Sequence, residues 1–223
     1  IVPSRSPKNL SRLKDRFGEF ESSLTLIEED LGTEAGAAKV RDKVLQKFGR
    51  IDTVVASLGG WWQGLPLLNL ALETWNEVLA NNLTSHFVVA KSFLPVMIHQ
   101  NSGSYTFIAG QGGVVPVPQS APVSVAVAGE IMLARALDAE NKKSDVRINA
   151  LVLGMVNTRE RRSYAQPDWI TASEVGEFAA TLAADLNSKV KGAIINLPDK
   201  NVYSKELGKL SRNRRQGDLP VRV

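Results

Sequence analysis

Residues 51–59 read Ile51-Asp52-Thr53-Val54-Val55-Ala56-Ser57-Leu58-Gly59, and Gly60-Trp61-Trp62-Gln63-Gly64 follows directly. A short run rich in β-branched residues that closes on glycine is the pattern of a buried parallel strand opening into a turn. Segments of the same kind recur at 24–27, 104–109, 148–153 and 192–197, and residues 1–3 look like the end of another. Longer stretches of helical period separate them. In 36–48, Val40, Val44 and Phe48 fall at i, i+4 and i+8, with Arg41, Lys43 and Lys47 off that face. This predicts an amphipathic helix that lays all three apolar residues on a sheet. Stretches 74–99 and 122–141 are longer and more apolar, so each is expected to bury a second side against another helix or a second subunit. Thr171 and Glu174 have the spacing of a capping box, and Val175, Phe178 and Leu182 then mark the inward stripe of a helix running to about Asn187. The alternation predicts an α/β domain with a doubly wound parallel sheet over residues 1–199. Beyond Pro198 the signals fade, and residues 200–223 are expected to form a basic, disordered tail.

Composition narrows the function classes. Of 223 residues, 43% are hydrophobic and 22% charged, which suits a globular domain. The absence of cysteine excludes disulfides, thiolate metal sites and a cysteine nucleophile. With only His86 and His99, no histidine-rich metal site is expected. There is no apolar run long enough to span a membrane and no basic-then-apolar start, so a soluble, cytoplasmic protein is the simplest expectation. The formal charge of +4 is concentrated at one end. Residues 200–223 carry a net +5, which leaves the remainder at −1. That distribution argues against nucleic acid as partner and for a solvated charged end, with a basic tail for some anionic partner as the alternative.

Several short motifs resemble the short-chain dehydrogenase/reductase family, a Rossmann-type group of oxidoreductases, from residue 1 to about 199. Residues 51–59 resemble the family's fourth strand and its Asn-Asn-Ala-Gly turn, with the glycine kept at Gly59. Trp75 through Phe87, containing Asn81-Asn82-Leu83-Thr84, resembles the helix that carries the catalytic asparagine, here Asn82. Arg135-Ala136-Leu137, Val146-Arg147-Ile148-Asn149-Ala150, Gly154 and Thr158 follow in the family's order and spacing.

The departures from this pattern bear on chemistry. The family's serine stretch is here Ile108-Ala109-Gly110-Gln111-Gly112-Gly113, so Gly110 stands at the serine position. Counting back from Leu133-Ala134-Arg135-Ala136-Leu137, the Tyr-x-x-x-Lys positions fall on Val123 and Val127. Hydride transfer to a carbonyl leaves an alkoxide that needs a proton, and a tyrosine supplies it only when a nearby ammonium lowers its pKa. Valine supplies neither proton nor charge, and glycine donates no side-chain hydrogen bond. The resemblance also implies a first strand and Gly-rich phosphate turn, which this sequence lacks. It opens at what resembles the second strand, which leads to the expectation of a fragment whose sheet has two unpaired edges.

The cofactor implied by the resemblance is NADP. Arg5 suits a 2′-phosphate, Asp30 and Leu31 resemble the adenine contact, Gly59 the turn beside the ribose, and Thr158 the nicotinamide-side hydroxyl. The plainer alternatives are that Arg5 is a solvated loop charge and Asp30 a helix-start cap. For a small-molecule substrate the candidates are Trp61, Trp62 and Tyr164. The paired tryptophans resemble the Gly-Gly-Trp turn of a pterin-reducing member of the family, or else simply cover the core. His86 lies one helical turn after Asn82 and is a candidate substitute acid, or else a helix-packing or partly exposed histidine. Arg159, Arg161 and Arg162 form a basic loop that either binds an anion or acts as a lid.

Three functions remain open on these grounds. The first is a catalytically impaired or non-catalytic family member. The second is an active NADP-dependent oxidoreductase of a carbonyl, quinone or pterin-like substrate with a non-standard proton donor. The third is a dimeric interaction scaffold. The family implies a homodimer or tetramer, through the helices of 74–99 and 122–141.

Overall fold

A computed structural model describes residues 1–17, 23–184 and 190–216. Four parallel strands form its centre: β3 (Thr53–Ala56), β4 (Ser104–Gly110), β5 (Arg147–Leu153) and β8 (Ile194–Leu197), hydrogen-bonded in the order β3-β4-β5-β8. Their register aligns Val54 with Tyr105 and Tyr105 with Ile148, while Ala150 meets Ile194. Parallel neighbours require crossovers, and helices supply them. A helical segment made of α3 (Leu72–Leu79), a π turn (Ala80–Thr84) and α4 (Ser85–Gln100) joins β3 to β4. Helix α5 (Ala121–Glu140) joins β4 to β5. Every residue of β5 is buried, as expected of a strand covered on both faces.

The remaining parallel strands stand apart. β1 (Val2–Ser4) pairs with β2 (Leu26–Glu28), Val2 opposite Leu26, in a sheet of their own. Among the described residues, β1 pairs only with β2 and β3 only with β4, and Val55 on β3 is 45% exposed. Helix α1 (Pro7–Phe17) packs on β1 and β2, and α2 (Glu34–Phe48) contributes Val40 to the core that holds Ile27, Ile51, Phe93, Tyr105 and Ile148. The Thr33 hydroxyl caps α2 by accepting from the Gly36 N–H at 3.1 Å, and Gly49 ends it at φ 73°. A two-residue pair, β6 (Val156–Asn157) with β7 (Ile170–Thr171), precedes helix α6 (Ala172–Ala184).

Two sequence expectations need correction here. Phe48 is 53% exposed rather than inward. Eight residues advance a helix by about 80° beyond two full turns, so the stripe that starts at Val40 has rotated off the core by Phe48. The Lys47 ammonium lies 5.3 Å from its ring centroid instead. Residues 200–216 are not a disordered tail but helix α7 (Lys200–Gln216). The Asp199 carboxylate accepts from the Asn201 and Val202 N–H groups at 2.8 and 2.9 Å, an N-cap that starts the helix. Tyr203, Leu207 and Leu210, at i, i+4 and i+7, then pack with Leu153, Phe178, Leu182 and Leu197. Residues 217–223 lie outside the described residues, as does the expected end of α6 near Asn187.

The capping box at the start of α6 forms as expected. Glu174 Oε2 accepts from the Thr171 N–H at 2.7 Å, and Thr171 Oγ1 accepts from the Glu174 N–H at 3.2 Å. Phe178 and Leu182 are fully buried and Val175 packs against the same cluster.

Candidate functional site

A cleft of 590 Å³ opens at the carboxyl ends of β1, β2 and β3, where open α/β sheets bind ligands. Its near wall comes from the turns after β1 and β2, with Arg5, Asp30 and Leu31; its far wall holds Gly59, Trp61, Trp62 and Asn82. Thus six of the residues expected to touch a cofactor or substrate are brought to one cleft together with Asn82. Thr158 and Tyr164 are outside its lining. Thr158 follows β6, and Tyr164 is 56% exposed with its ring edge-on to Trp169 at 5.9 Å.

Backbone geometry fixes the floor of the cleft. Gly59 has φ 85°, and a Cβ there would sit 2.2 Å from Asn82 Oδ1. Only glycine fits a left-handed turn against that amide. Asn82 Oδ1 accepts from the Gly60 N–H at 3.0 Å, and Asn82 Nδ2 donates to the Val78 carbonyl at 2.9 Å. Asn82 stands in the π turn, a local widening that rotates its amide to the strand end. Its side chain is therefore a clamp between helix and turn, with both ends engaged.

The near wall is polar. Arg5 Nη1 is 4.0 Å from Asp30 Oδ2, a loose ion pair whose side chains are 68% and 45% exposed. Asp30 Oδ1 accepts from the Gly32 N–H at 2.8 Å, which places Asp30 as a turn-former as well as a cleft wall. The guanidinium projects forked donors into the cleft beside a carboxylate that could take a hydroxyl.

The positions matched to the family's tyrosine and lysine are closed and apolar. Val123 and Val127 are 6% and 7% exposed and form one cluster with Val78, Ala109, Ile131 and Val152, against which Trp62 packs. Gly110 ends β4 beside this cluster's Ala109, and Ser124, next to Val123, has its hydroxyl engaged by the Val117 N–H at 3.2 Å. His86 is fully buried and faces Glu130 of α5 rather than the cleft. Sequence reasoning missed Glu130; the available signal was a lone charge in the otherwise uncharged run from Val123 to Leu133.

Comparisons with known proteins agree with this architecture. The sequence model described as short chain dehydrogenase matches residues 1–169, and the chain belongs to that family of NAD(P)-dependent oxidoreductases. It is 28% identical over 171 residues to a 3-oxoacyl-[acyl-carrier-protein] reductase of Thermotoga maritima, covering 71% of this chain and 69% of that protein. It is 25% identical over 214 residues to glucose 1-dehydrogenase 2 of Bacillus subtilis, covering 86% and 79%. Among solved structures, ElxO with NADP bound superposes with a TM-score of 0.80 at 20% identity, covering 88% of this chain and 85% of that one, a likeness of fold. The doubly wound Rossmann-type architecture is thereby established. No helix among the described residues is long and apolar enough to cross a membrane.

Proposed function

We propose that this chain is a nucleotide-binding member of the short chain dehydrogenase family that takes NADP and does not catalyse the family's redox reaction. The observation that carries the reading is the packed cluster of Val123 and Val127 against Trp62, where the family pattern requires a tyrosine and a lysine. No proton donor stands at these positions, so an alkoxide formed there would have no acid to quench it. Gly110 adds no hydroxyl, and Asn82 has both ends of its amide committed to backbone. NADP is favoured over NAD by Arg5, whose guanidinium suits a doubly charged 2′-phosphate. The test follows NADPH absorbance with carbonyl, quinone and pterin-like compounds. Turnover that disappears on substituting Asn82 or Tyr164 would overturn the reading in favour of an active reductase with another acid.

Self-association is a second reading, favoured by Phe87 on α4 and by Val125 and Met132 on α5, which are 47%, 46% and 57% exposed. Large apolar side chains on two neighbouring crossover helices suit a helix-to-helix contact between copies. A monomer in sedimentation velocity at micromolar concentration would exclude it.

A further inference from the structure

The turn that floors the cleft is held from behind by one helical segment at two points. The Gly60 N–H donates to Asn82 Oδ1 at 3.0 Å. One helical turn further on, His86 meets the same turn at Leu58, whose backbone raises the histidine's affinity for protons against the larger effect of burial. Only an acceptor acts in that direction, so the group facing the ring is the Leu58 carbonyl. Leu58 packs on the core cluster that contains Phe107, and the His86 ring stacks on Phe107 at 5.7 Å.

On its other side the imidazole meets α5. Nε2 is 3.4 Å from Glu130 Oε1, with the side chains 0% and 4% exposed. Neither ring nitrogen nor Oε1 has a hydrogen-bond partner of good geometry among the described residues, and the same holds for the hydroxyl of Tyr105 on β4, whose phenol is acted on by the Glu130 charge. Three ionisable groups from α4, α5 and β4 thus face one another in the interior. Charges on the surrounding elements point elsewhere. Arg147 on β5 donates to the Leu182 and Ala183 carbonyls, and Lys91 on α4 pairs with Glu34 at 2.7 Å. Arg135 and Glu140 on α5 are exposed, Asp138 approaches Gly192, and Glu77 on α3 is exposed in the cleft wall. An unpartnered polar atom in the interior is costly, so the protons on the pair decide which contacts form.

We infer that His86 and Glu130 form a proton-operated latch on the cleft: at neutral pH His86 holds the Leu58 carbonyl, and loss of one proton from the pair releases it. In the neutral state Glu130 donates its carboxylic proton to Nε2, which leaves the single imidazole proton on Nδ1, directed at the Leu58 carbonyl. Burial maintains this state, since it keeps the Glu130 carboxyl protonated up to about 8 and His86 neutral down to about 4. Above the upper value the Glu130 proton leaves for water. A carboxylate then faces the lone pair of Nε2, and the imidazole proton moves to Nε2, where a charge-assisted hydrogen bond forms. Nδ1 becomes an acceptor opposite an acceptor, and the Leu58 carbonyl loses its donor. One proton is lost and one changes nitrogen. Tyr105 stays protonated throughout, because burial and Glu130 both raise its pKa. The turn at 58–60 keeps the Asn82 contact alone and loosens. This device goes beyond the nucleotide-binding reading, for it concerns the support of the cleft whichever ligand enters.

Nitrogen-15 NMR of the two imidazoles in the full chain tests this, with His99→Gln to assign the signals. Well below pH 8 the His86 proton is expected on Nδ1 and well above it on Nε2, with the midpoint at about 8. The Gly59 and Gly60 amide resonances should move with the same midpoint. At the alkaline end the Gly60 amide should exchange about tenfold faster relative to the amides of β5. In Glu130→Gln the carboxamide N–H donates to Nε2 at every pH, so Nδ1 keeps its proton and Gly60 its protection. A His86 ring protonated on the same nitrogen across the titration overturns the inference, as do Gly60 shifts with an unchanged midpoint in Glu130→Gln. The tautomer measurement needs no change at Glu130 and decides even where that variant fails to fold.

Discussion

His86 Nε2 lies 3.4 Å from Glu130 Oε1 in the interior, with the two side chains 0% and 4% exposed. Neither atom has a hydrogen-bond partner of good geometry among the described residues, and the His86 ring stacks on Phe107 at 5.7 Å. Burial governs both groups. It lowers the His86 pKa to about 4, against a smaller opposite pull from the Leu58 backbone, and it pushes the Glu130 carboxyl up to about 8. At neutral pH the contact is between a neutral imidazole and a neutral carboxylic acid, not a salt bridge. The neighbouring Tyr105 phenol is likewise held protonated, by burial first and by Glu130 second.

This pair fixes a pH dependence of stability. Between about pH 6.5 and 8 the folded chain keeps a Glu130 proton that the unfolded chain has released, so stability falls as pH rises, by about 1.4 kcal/mol per unit. Between about pH 4.5 and 6.5 the unfolded chain binds a proton at His86 that the folded chain refuses, which offsets the Glu130 effect and flattens the profile. Glu130→Gln keeps the volume and removes the titration. Its urea-unfolding midpoint should stay level from pH 6.5 to 8 while that of the parent drops. An unchanged drop in the variant would show that some other group is responsible.

The Asn82 clamp predicts coupling between two positions 23 residues apart. Asn82→Ala abandons the Gly60 N–H and the Val78 carbonyl and should destabilise by about 1–3 kcal/mol. Gly59→Ala drives a Cβ into the Asn82 amide and should be as harmful alone. In the Asn82→Ala background the clash with Oδ1 is gone, so the Gly59→Ala cost should shrink by about 1 kcal/mol, leaving the strain of φ 85°. Strict additivity in a double-mutant cycle would contradict the steric account.

At the near wall, Arg5 and Asp30 make opposite predictions. Arg5→Ala should weaken adenosine 2′,5′-bisphosphate by about tenfold or more while leaving 5′-AMP almost unchanged, since only the former presents the second phosphate. Asp30→Asn removes a carboxylate 4.0 Å from the guanidinium and should strengthen the bisphosphate. Titration calorimetry at two salt concentrations reads both effects. Equal weakening of the two nucleotides by Arg5→Ala would move the phosphate contact elsewhere.

Local pattern was enough for the central strands and crossover helices, because β-branched runs and helical stripes record burial directly. Thr171 and Glu174 were legible for the same reason, being three residues apart and self-contained. Contacts made by distant residues were not. Glu130 meets His86 across 44 residues of chain, and nothing near His86 in sequence announces it. Trp62 could be named as a site residue, yet its packing on Val123 and Val127 depends on how the loop after β3 closes over helix α5. Helix α7 was hidden by its charge: the seven basic residues of the final stretch obscured the sparse stripe of Tyr203, Leu207 and Leu210.

That stripe gives α7 a structural role, and its contribution separates from that of the helix's charge by mutation. Tyr203 is 5% exposed, its hydroxyl donates to Glu177 Oε2 at 2.8 Å, and its ring lies 6.0 Å from Phe178. Tyr203→Phe should lose about 1 kcal/mol with the hydrogen bond. Tyr203→Ala also empties an aromatic site and should lose about 3–5 kcal/mol. Replacing Lys200, Lys205 and Lys209 with glutamine should leave the melting temperature nearly unchanged, because Lys209 pairs only with its helical neighbour Glu206 among the described residues and surface pairs of that kind contribute little. Thermal melts of the two sets of variants in low and high salt check this. A large loss from the lysine set, with Tyr203→Ala neutral, would show that the charge of α7 matters more to the fold than its apolar stripe.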